Sequence, residues 1–282
     1  MMHAYLLLDS HQIEGLHAQL YALAPTATPH SLYLMTQYAA MAAIGPVVVG
    51  VERDSQLANT FYANWQEKAG IWLESDAAEA DLIAHLRSLI HVQLDGDVSA
   101  FFRFYDPVIT RLWLHDLPVV ERDRLMGPVR VIRLPEADGS TLLISQQNPD
   151  QPTSRYAPTP WLRLSTHTLE RLCQAQRSQF LQRLVDHVQR YFPHCLHDLH
   201  PRQQQAWALA CQASAARHGY SAEDEVMLWA SLFATYGQDF PQGEGQEIYR
   251  TLLAERGVTP RQRLDRVLDE LTLRAIPREP AQ

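Results

Sequence analysis

Two short clusters hold the residue types from which chemistry could be built. Asp9-Ser10-His11 contains the three side chains of a hydrolytic triad. Triad geometry, however, is a matter of spatial roles, and the nucleophile normally sits on a strained G-x-S-x-G turn, which this chain lacks. The trio therefore reads as a capping group at the end of a strand; a hydrolase or transferase site near Asp9, His11 and Asp106 is the alternative. His194-Cys195-Leu-His197-Asp198-Leu-His200 offers imidazole and thiolate at spacings that could hold zinc. The simpler reading is a polar helix–helix connection in a chain with 13 histidines. There is no P-loop, no dinucleotide fingerprint and no H-E-x-x-H, so neither a cofactor nor a metal is expected. Cys173 and Cys211 fall on apolar helical stripes and read as small core residues. His85 falls on the charged side of its helix, where solvation accounts for it.

The most distinctive stretch is Ser99-Ala-Phe-Phe-Arg-Phe-Tyr-Asp-Pro107. Its aromatic residues suit a half-buried strand, expected over Ser99–Tyr105, and Asp106-Pro107 closes it because proline donates no ladder hydrogen bond. Arg103 is the anomaly. A guanidinium in an aromatic run must stay wet or find a carboxylate, and Asp106 and Asp9 are the candidates. A structural ion pair is the simplest role.

These clusters have to be positioned by a chain of 282 residues with 46% hydrophobic content, enough for one large domain or two smaller ones. The net charge of -8 is uneven: residues 1–150 hold 18 acidic and 9 basic side chains, whereas residues 151–282 hold 14 and 15. An acidic first half argues against nucleic acid as a partner. Three cysteines without CxxC spacing argue against a disulfide framework. The start lacks the basic n-region of a signal peptide, and no apolar run approaches the ~20 residues of a membrane span. A cytoplasmic protein without a membrane partner is expected.

The pattern predicts strands at Tyr5–Leu8, Ser31–Leu34, Val47–Val51, Ile71–Ser75, His91–Leu94, Val129–Leu134 and Thr141–Ser145. Helices are expected over Gln12–Leu23, from Asp54-Ser55 to Ala69, and over Ala77–Leu89, Val108–His115 and Pro118–Leu125. Asp95-Gly96 is a hairpin signal that pairs His91–Leu94 with Ser99–Tyr105 in antiparallel fashion, and Ala137-Asp-Gly139 marks a second turn. The fold class is an α/β N-terminal lobe with a mixed sheet over 1–147, a Pro-rich linker over 148–160, and an all-α C-terminal lobe over 161–282. In the last helix Arg261, Arg263 and Arg266 form a basic face, read as a solvated surface or a meeting point for acidic groups.

Several of these positions carry a resemblance. Tyr5–Asp9, Gly45-Pro46 before a valine strand, Gly70–Ser75, His85-Leu-Arg87 and above all Phe102-Arg-Phe-Tyr-Asp-Pro107 resemble the effector adaptor/chaperone family of bacterial type VI secretion, whose domain long carried an unknown-function label. The similarity covers roughly the first 130 residues. Tyr220, Ala222–Asp224, Tyr236-Gly237 and Asp239-Phe240-Pro241 resemble the helical extension of these proteins. The resemblance implies a non-catalytic cytoplasmic protein that binds a toxin effector and helps load it onto a VgrG spike, with an effector segment clasped between the two lobes. On that reading Trp72, Tyr105 and Trp113, if exposed, are the partner anchors, and Arg103 and Asp106 shape the loop beside them.

Overall fold

The computed structural model describes residues 1–96, 98–115, 117–136 and 139–275. The chain divides into two compact units, 1–176 and 177–282. The first is α/β and the second is helical, the order expected from the pattern.

In the first unit, β1 (His3–Asp9) leads to α1 (Leu16–Leu23), β2 (His30–Ser31), a 3-10 turn over Ala39–Ile44, and β3 (Pro46–Val51). Then come α2 (Gln56–Thr60), which continues into a π-helical turn over Phe61–Trp65, β4 (Gly70–Ser75) and α3 (Glu79–Ser88). The hairpin strands β5 (His91–Gln93) and β6 (Ser99–Phe101) precede α4 (Pro107–His115), α5 (Val119–Met126), β7 (Val129–Pro135) and β8 (Thr141–Ser145). Six strands form one sheet in the order β2-β3-β1-β4-β7-β8, and β5 pairs with β6 apart from it.

Within these strands every ladder among the described residues is antiparallel. The parallel pairing of the expected mixed sheet is confined to a single bridge, Gln93 to Arg163. β1 is central, with β3 and β4 on either side. Both faces of the sheet are covered, so its inner strands are apolar throughout rather than alternating. Tyr5, Leu7, Val48, Ile71 and Leu73 face a core shared with α3, α4, α5 and the β5–β6 hairpin. Leu6, Leu8, Val47, Val49 and Trp72 face a second core, filled by Leu16 and Leu20 of α1 and Leu57 and Phe61.

Local chemistry shifts several boundaries. The helix expected from Gln12 starts at Leu16, after Gly15 takes a left-handed φ of 63°. Ser55 caps α2 as expected, its hydroxyl accepting from the Ala58 N–H. The strand expected over Ser99–Tyr105 ends at Phe101; Phe104 and Tyr105 turn instead into α4. The reason is the competing signal at its end: Asp106 Oδ1 accepts from the N–H groups of Val108 and Ile109, at 2.9 and 3.1 Å, and so acts as a helix cap. Gly96 (φ 78°) makes the β5–β6 turn, and Ala137 and Asp138 of the second expected turn lie outside the described residues.

The Pro-rich stretch stays with the first unit. Asp123, fully buried, accepts from the backbone N–H groups of Gln147 and Asn148. The Tyr156 ring stacks on His91 at 5.0 Å, and Trp161 Nε1 donates to Ser88 Oγ at 2.9 Å. Leu162 and Leu164 then lie along β5 through backbone hydrogen bonds with Gln93 and are buried. Residues expected to link two lobes therefore form a strap on one of them.

The first turns of α6 (Thr166–Tyr191) belong to the first unit and the remainder to the second. The second unit continues with α7 (Pro193–Leu196), α8 (Pro201–Arg217), α9 (Glu223–Tyr236), α10 (Glu247–Leu253) and α11 (Pro260–Ala275). Its core is centred on Trp229, with His218 stacked at 4.8 Å and Tyr220 and Phe240 each 5.3 Å away. Tyr236 stacks on Phe240, and its hydroxyl meets that of Tyr249 at 2.6 Å. The aromatic residues singled out in this region are packing residues. At the start of α9, Glu225 accepts from the N–H groups of Ser221 and Ala222. Nor is the arginine face of α11 free. Arg261 pairs with Asp224 and Asp265, Arg266 pairs with Glu255, and Arg263 donates to the Leu253 carbonyl.

Candidate protein-binding site

The anomalous Arg103 finds Asp9 rather than Asp106. Its Nη2 lies 2.5 Å from Asp9 Oδ2, joining the segment that follows β6 to the end of the central strand. Asp9 is buried, and its other oxygen accepts from the His11 N–H at 3.0 Å. Burial works against the charge of Arg103, but Asp9, with Tyr105 and Asp106, outweighs it and raises the guanidinium pKa. The guanidinium also lies 6.0 Å from the centre of the Tyr105 ring. Tyr105 hydrogen-bonds Tyr33, and burial, then Tyr33 and Asp9, push its phenol pKa up. Asp106 is raised by burial against the opposing pull of its cap bonds and Arg103. The Thr110 hydroxyl donates to the Phe104 and Asp106 carbonyls, which fixes the turn. The whole motif is a clamp holding the hairpin and α4 on the sheet.

The same geometry disperses the hydrolytic trio. Asp9 is held by Arg103, Ser10 donates to the Gly45 carbonyl, and His11 is exposed. Asp106 uses Oδ1 as a helix cap.

The condition placed on the three aromatic anchors is not met. Trp72, Tyr105 and Trp113 are all buried, at 2%, 5% and 5% exposure. Trp72 lies under Tyr62 with ring centres 5.3 Å apart, and Trp113 meets Phe102 edge-on at 4.8 Å. Their area serves the interior, since large aromatic side chains are the most effective core fillers available. The exposed aromatic of the motif is instead Phe101, at 48%. It leans on Tyr38 and Tyr33, at 4.5 and 5.7 Å; Leu34 and Met35, which follow Tyr33 in the chain, are exposed as well. Period-2 alternation in β6 carries the signal for this.

Next to Phe101 lies an apolar groove of about 220 Å³. Val92, Ala100 and Phe102 of the hairpin line one side, Leu169 and Leu172 of α6 another, and Arg103 is its charged member. A concave apolar surface with few polar groups is the usual form of a recognition site. Arg103 Nε is buried there without a hydrogen-bond partner.

The burial of Glu74, Asp123 and His85 was not foreseen from sequence. Glu74 receives Arg53 at 2.9 Å, Arg133 at 2.8 Å and Trp72 Nε1 at 3.3 Å. Its signal was a carboxylate inside an apolar strand, which requires a partner. Asp123 is the second. His85, expected on a solvated face, is fully buried: Nε2 meets the Leu125 carbonyl at 2.9 Å and Nδ1 accepts from Ser154 N–H at 3.2 Å. Burial lowers its pKa to about 4. Cys211 is buried as expected and its thiol is pushed up to about 12, whereas Cys173 is exposed at the groove. The helical stripe containing Cys173 turns to solvent because the first turns of α6 pack on one side only.

In the histidine cluster, His197 pairs with Asp198 at 3.0 Å and His200 starts α8. Among the described residues no group of three His, Cys, Asp or Glu side chains is placed to hold a metal ion. Nor, among those residues, is any helix long and apolar enough to cross a membrane.

No curated protein and no solved structure matches this chain. A family model does match part of it. The stretch that contains the Arg103–Asp9 clamp, the β5–β6 hairpin and α4, residues 4–124, is similar to the family described as a domain of unknown function (DUF4123).

Proposed function

We propose that this protein is a non-catalytic adaptor of type VI secretion, which binds a toxin effector in the cytoplasm and helps load it onto a VgrG spike. The observation that carries this reading is the family match over residues 4–124, a family known for effector-loading adaptors. The Phe102–Pro107 motif lies inside the match, and its residues are occupied with holding the fold. A non-catalytic role agrees with the engagement of Asp9 and Asp106 in a salt bridge and a helix cap. An exposed apolar surface at Phe101 beside a groove agrees with protein binding.

The test is affinity capture of the tagged full chain from its native cytoplasm, read by mass spectrometry. Recovery of a toxin-like protein together with a VgrG-type spike is the expected result. Recovery of neither, with both expressed, overturns the proposal.

A further inference from the structure

The β5–β6 hairpin has one covered edge and one open edge. Leu162-Arg163-Leu164 runs along β5, with Gln93 N–H donating to the Leu162 carbonyl and Leu164 N–H to the Gln93 carbonyl, at 2.8 and 3.1 Å. An extended apolar segment therefore already completes this small sheet on the β5 side. On the other side the register decides which groups are free. His91 faces Phe101, Val92 faces Ala100 and Gln93 faces Ser99. The bonds from Phe102 N–H to Ile90 and from Leu94 N–H to Val98 place the hydrogen-bonded pairs at even positions. In such a ladder the alternate residues turn their N–H and C=O outward. Ser99 and Phe101 thus present an unpaired edge; both are exposed, and no strand covers that edge among the described residues.

An open edge beside an apolar groove is the arrangement used for strand addition, in which main-chain bonds give affinity and pockets for alternate side chains give selectivity. The groove beside this edge is lined by Ala100 and Phe102 on one side and Leu169 and Leu172 on the other. Arg103 sits in its lining with a buried Nε that has no acceptor. The geometry points to one occupant: an extended segment of a partner protein that pairs with β6, places alternate apolar side chains in the groove, and brings a carboxylate or carbonyl oxygen to Arg103. This names the chemistry of the partner and rests on the adaptor reading.

The test pans a phage-displayed library of random decapeptides against the full chain, then measures binding of the selected peptides as synthetic fluorescent probes. Ser99→Pro removes an outward N–H while sparing the backbone bonds to β5, and Leu169→Glu places a charge in the groove. The expected result is peptides with alternating apolar residues and a carboxylate, binding at least tenfold more weakly to either variant. On peptide addition, hydrogen exchange should slow at Phe101. Failure to select peptides, indifference to both variants in folded protein, or protection elsewhere would overturn the site. So would self-association of the chain that Ser99→Pro abolishes, because a second copy would then be the occupant. An effector captured equally by wild type and both variants would sink this site and leave the adaptor reading intact. Edge-dependent peptide binding with no effector or spike recovered would do the reverse.

Discussion

Arg103 and Asp9, 94 positions apart, close on one another at 2.5 Å, and the bond ties the hairpin–α4 motif to the end of the central strand. Asp9 is buried, while the Arg103 side chain is one-third exposed. Removing the arginine leaves a buried carboxylate without its counter-charge. Arg103→Ala should therefore cost about 3 kcal/mol, the lower end of the cost of breaking a buried pair because one partner is partly solvated. Urea denaturation measures this. A loss below about 1 kcal/mol would mean that the clamp is not a stability element.

Phe101 and Trp113 should separate binding from folding. Trp113→Ala empties a buried site and should cost about 3–5 kcal/mol. Phe101→Ser gives up only half-exposed contacts with Tyr38 and Tyr33, and about 1 kcal/mol or less is expected. Melting curves of the two variants, with effector capture measured on the folded one, test the assignment. Retained capture by Phe101→Ser would remove this surface from the binding site.

His85 gives stability a pH dependence. Its pKa is lowered from 6.5 to about 4 in the folded chain by burial, so between those values the unfolded state binds the additional proton. Its contribution is therefore present above pH 6.5 and is lost as the pH falls toward 4. The loss should amount to roughly 3 kcal/mol. Urea midpoints across this window should fall more steeply for the wild type than for His85→Leu. Parallel slopes would show that the histidine is not held neutral.

Gly127 should tolerate no side chain. Its φ is +54°, and a Cβ there would come within 2.4 Å of the His85 ring. Gly127→Ala combines left-handed strain with a clash and should cost about 2 kcal/mol or more. Gly15→Ala, also at positive φ but with open space around it, should cost about 1 kcal/mol. Equal thermal shifts for the two would contradict this packing.

The cysteines should label in sequence. Cys173 is exposed, whereas Cys211 is buried with its thiol pushed up to about 12. Thiolate and access both govern reactivity, so a maleimide reagent should modify Cys173 first and Cys211 only on unfolding. Mass spectrometry of the native protein locates the label.

Much of the framework is legible in the chain because it depends on local rules. The apolar runs of Tyr5–Leu8 and Val47–Val51, the Asp95-Gly96 turn and the Asp106-Pro107 break determine where strands and helices start and stop, and the helical period after residue 166 sets the second unit. What the tertiary structure alone decided is which polar groups are buried and with whom. His85 looked solvated beside its own neighbours, but α5 and the strap cover it from outside its helix. Glu74 acquires its arginines from Arg53 and from Arg133 on the neighbouring strand. Trp72, Tyr105 and Trp113 are interior while Phe101 is outside, a difference set by the faces that α4 and the sheet leave open. The choice of Asp9 over the nearer Asp106 has the same origin: Asp106 is claimed by the N–H groups of the helix it begins, and β1 brings Asp9 to the guanidinium. Sequence determines periodicity and punctuation, because these act over a few residues; long-range pairing depends on which elements the fold brings together.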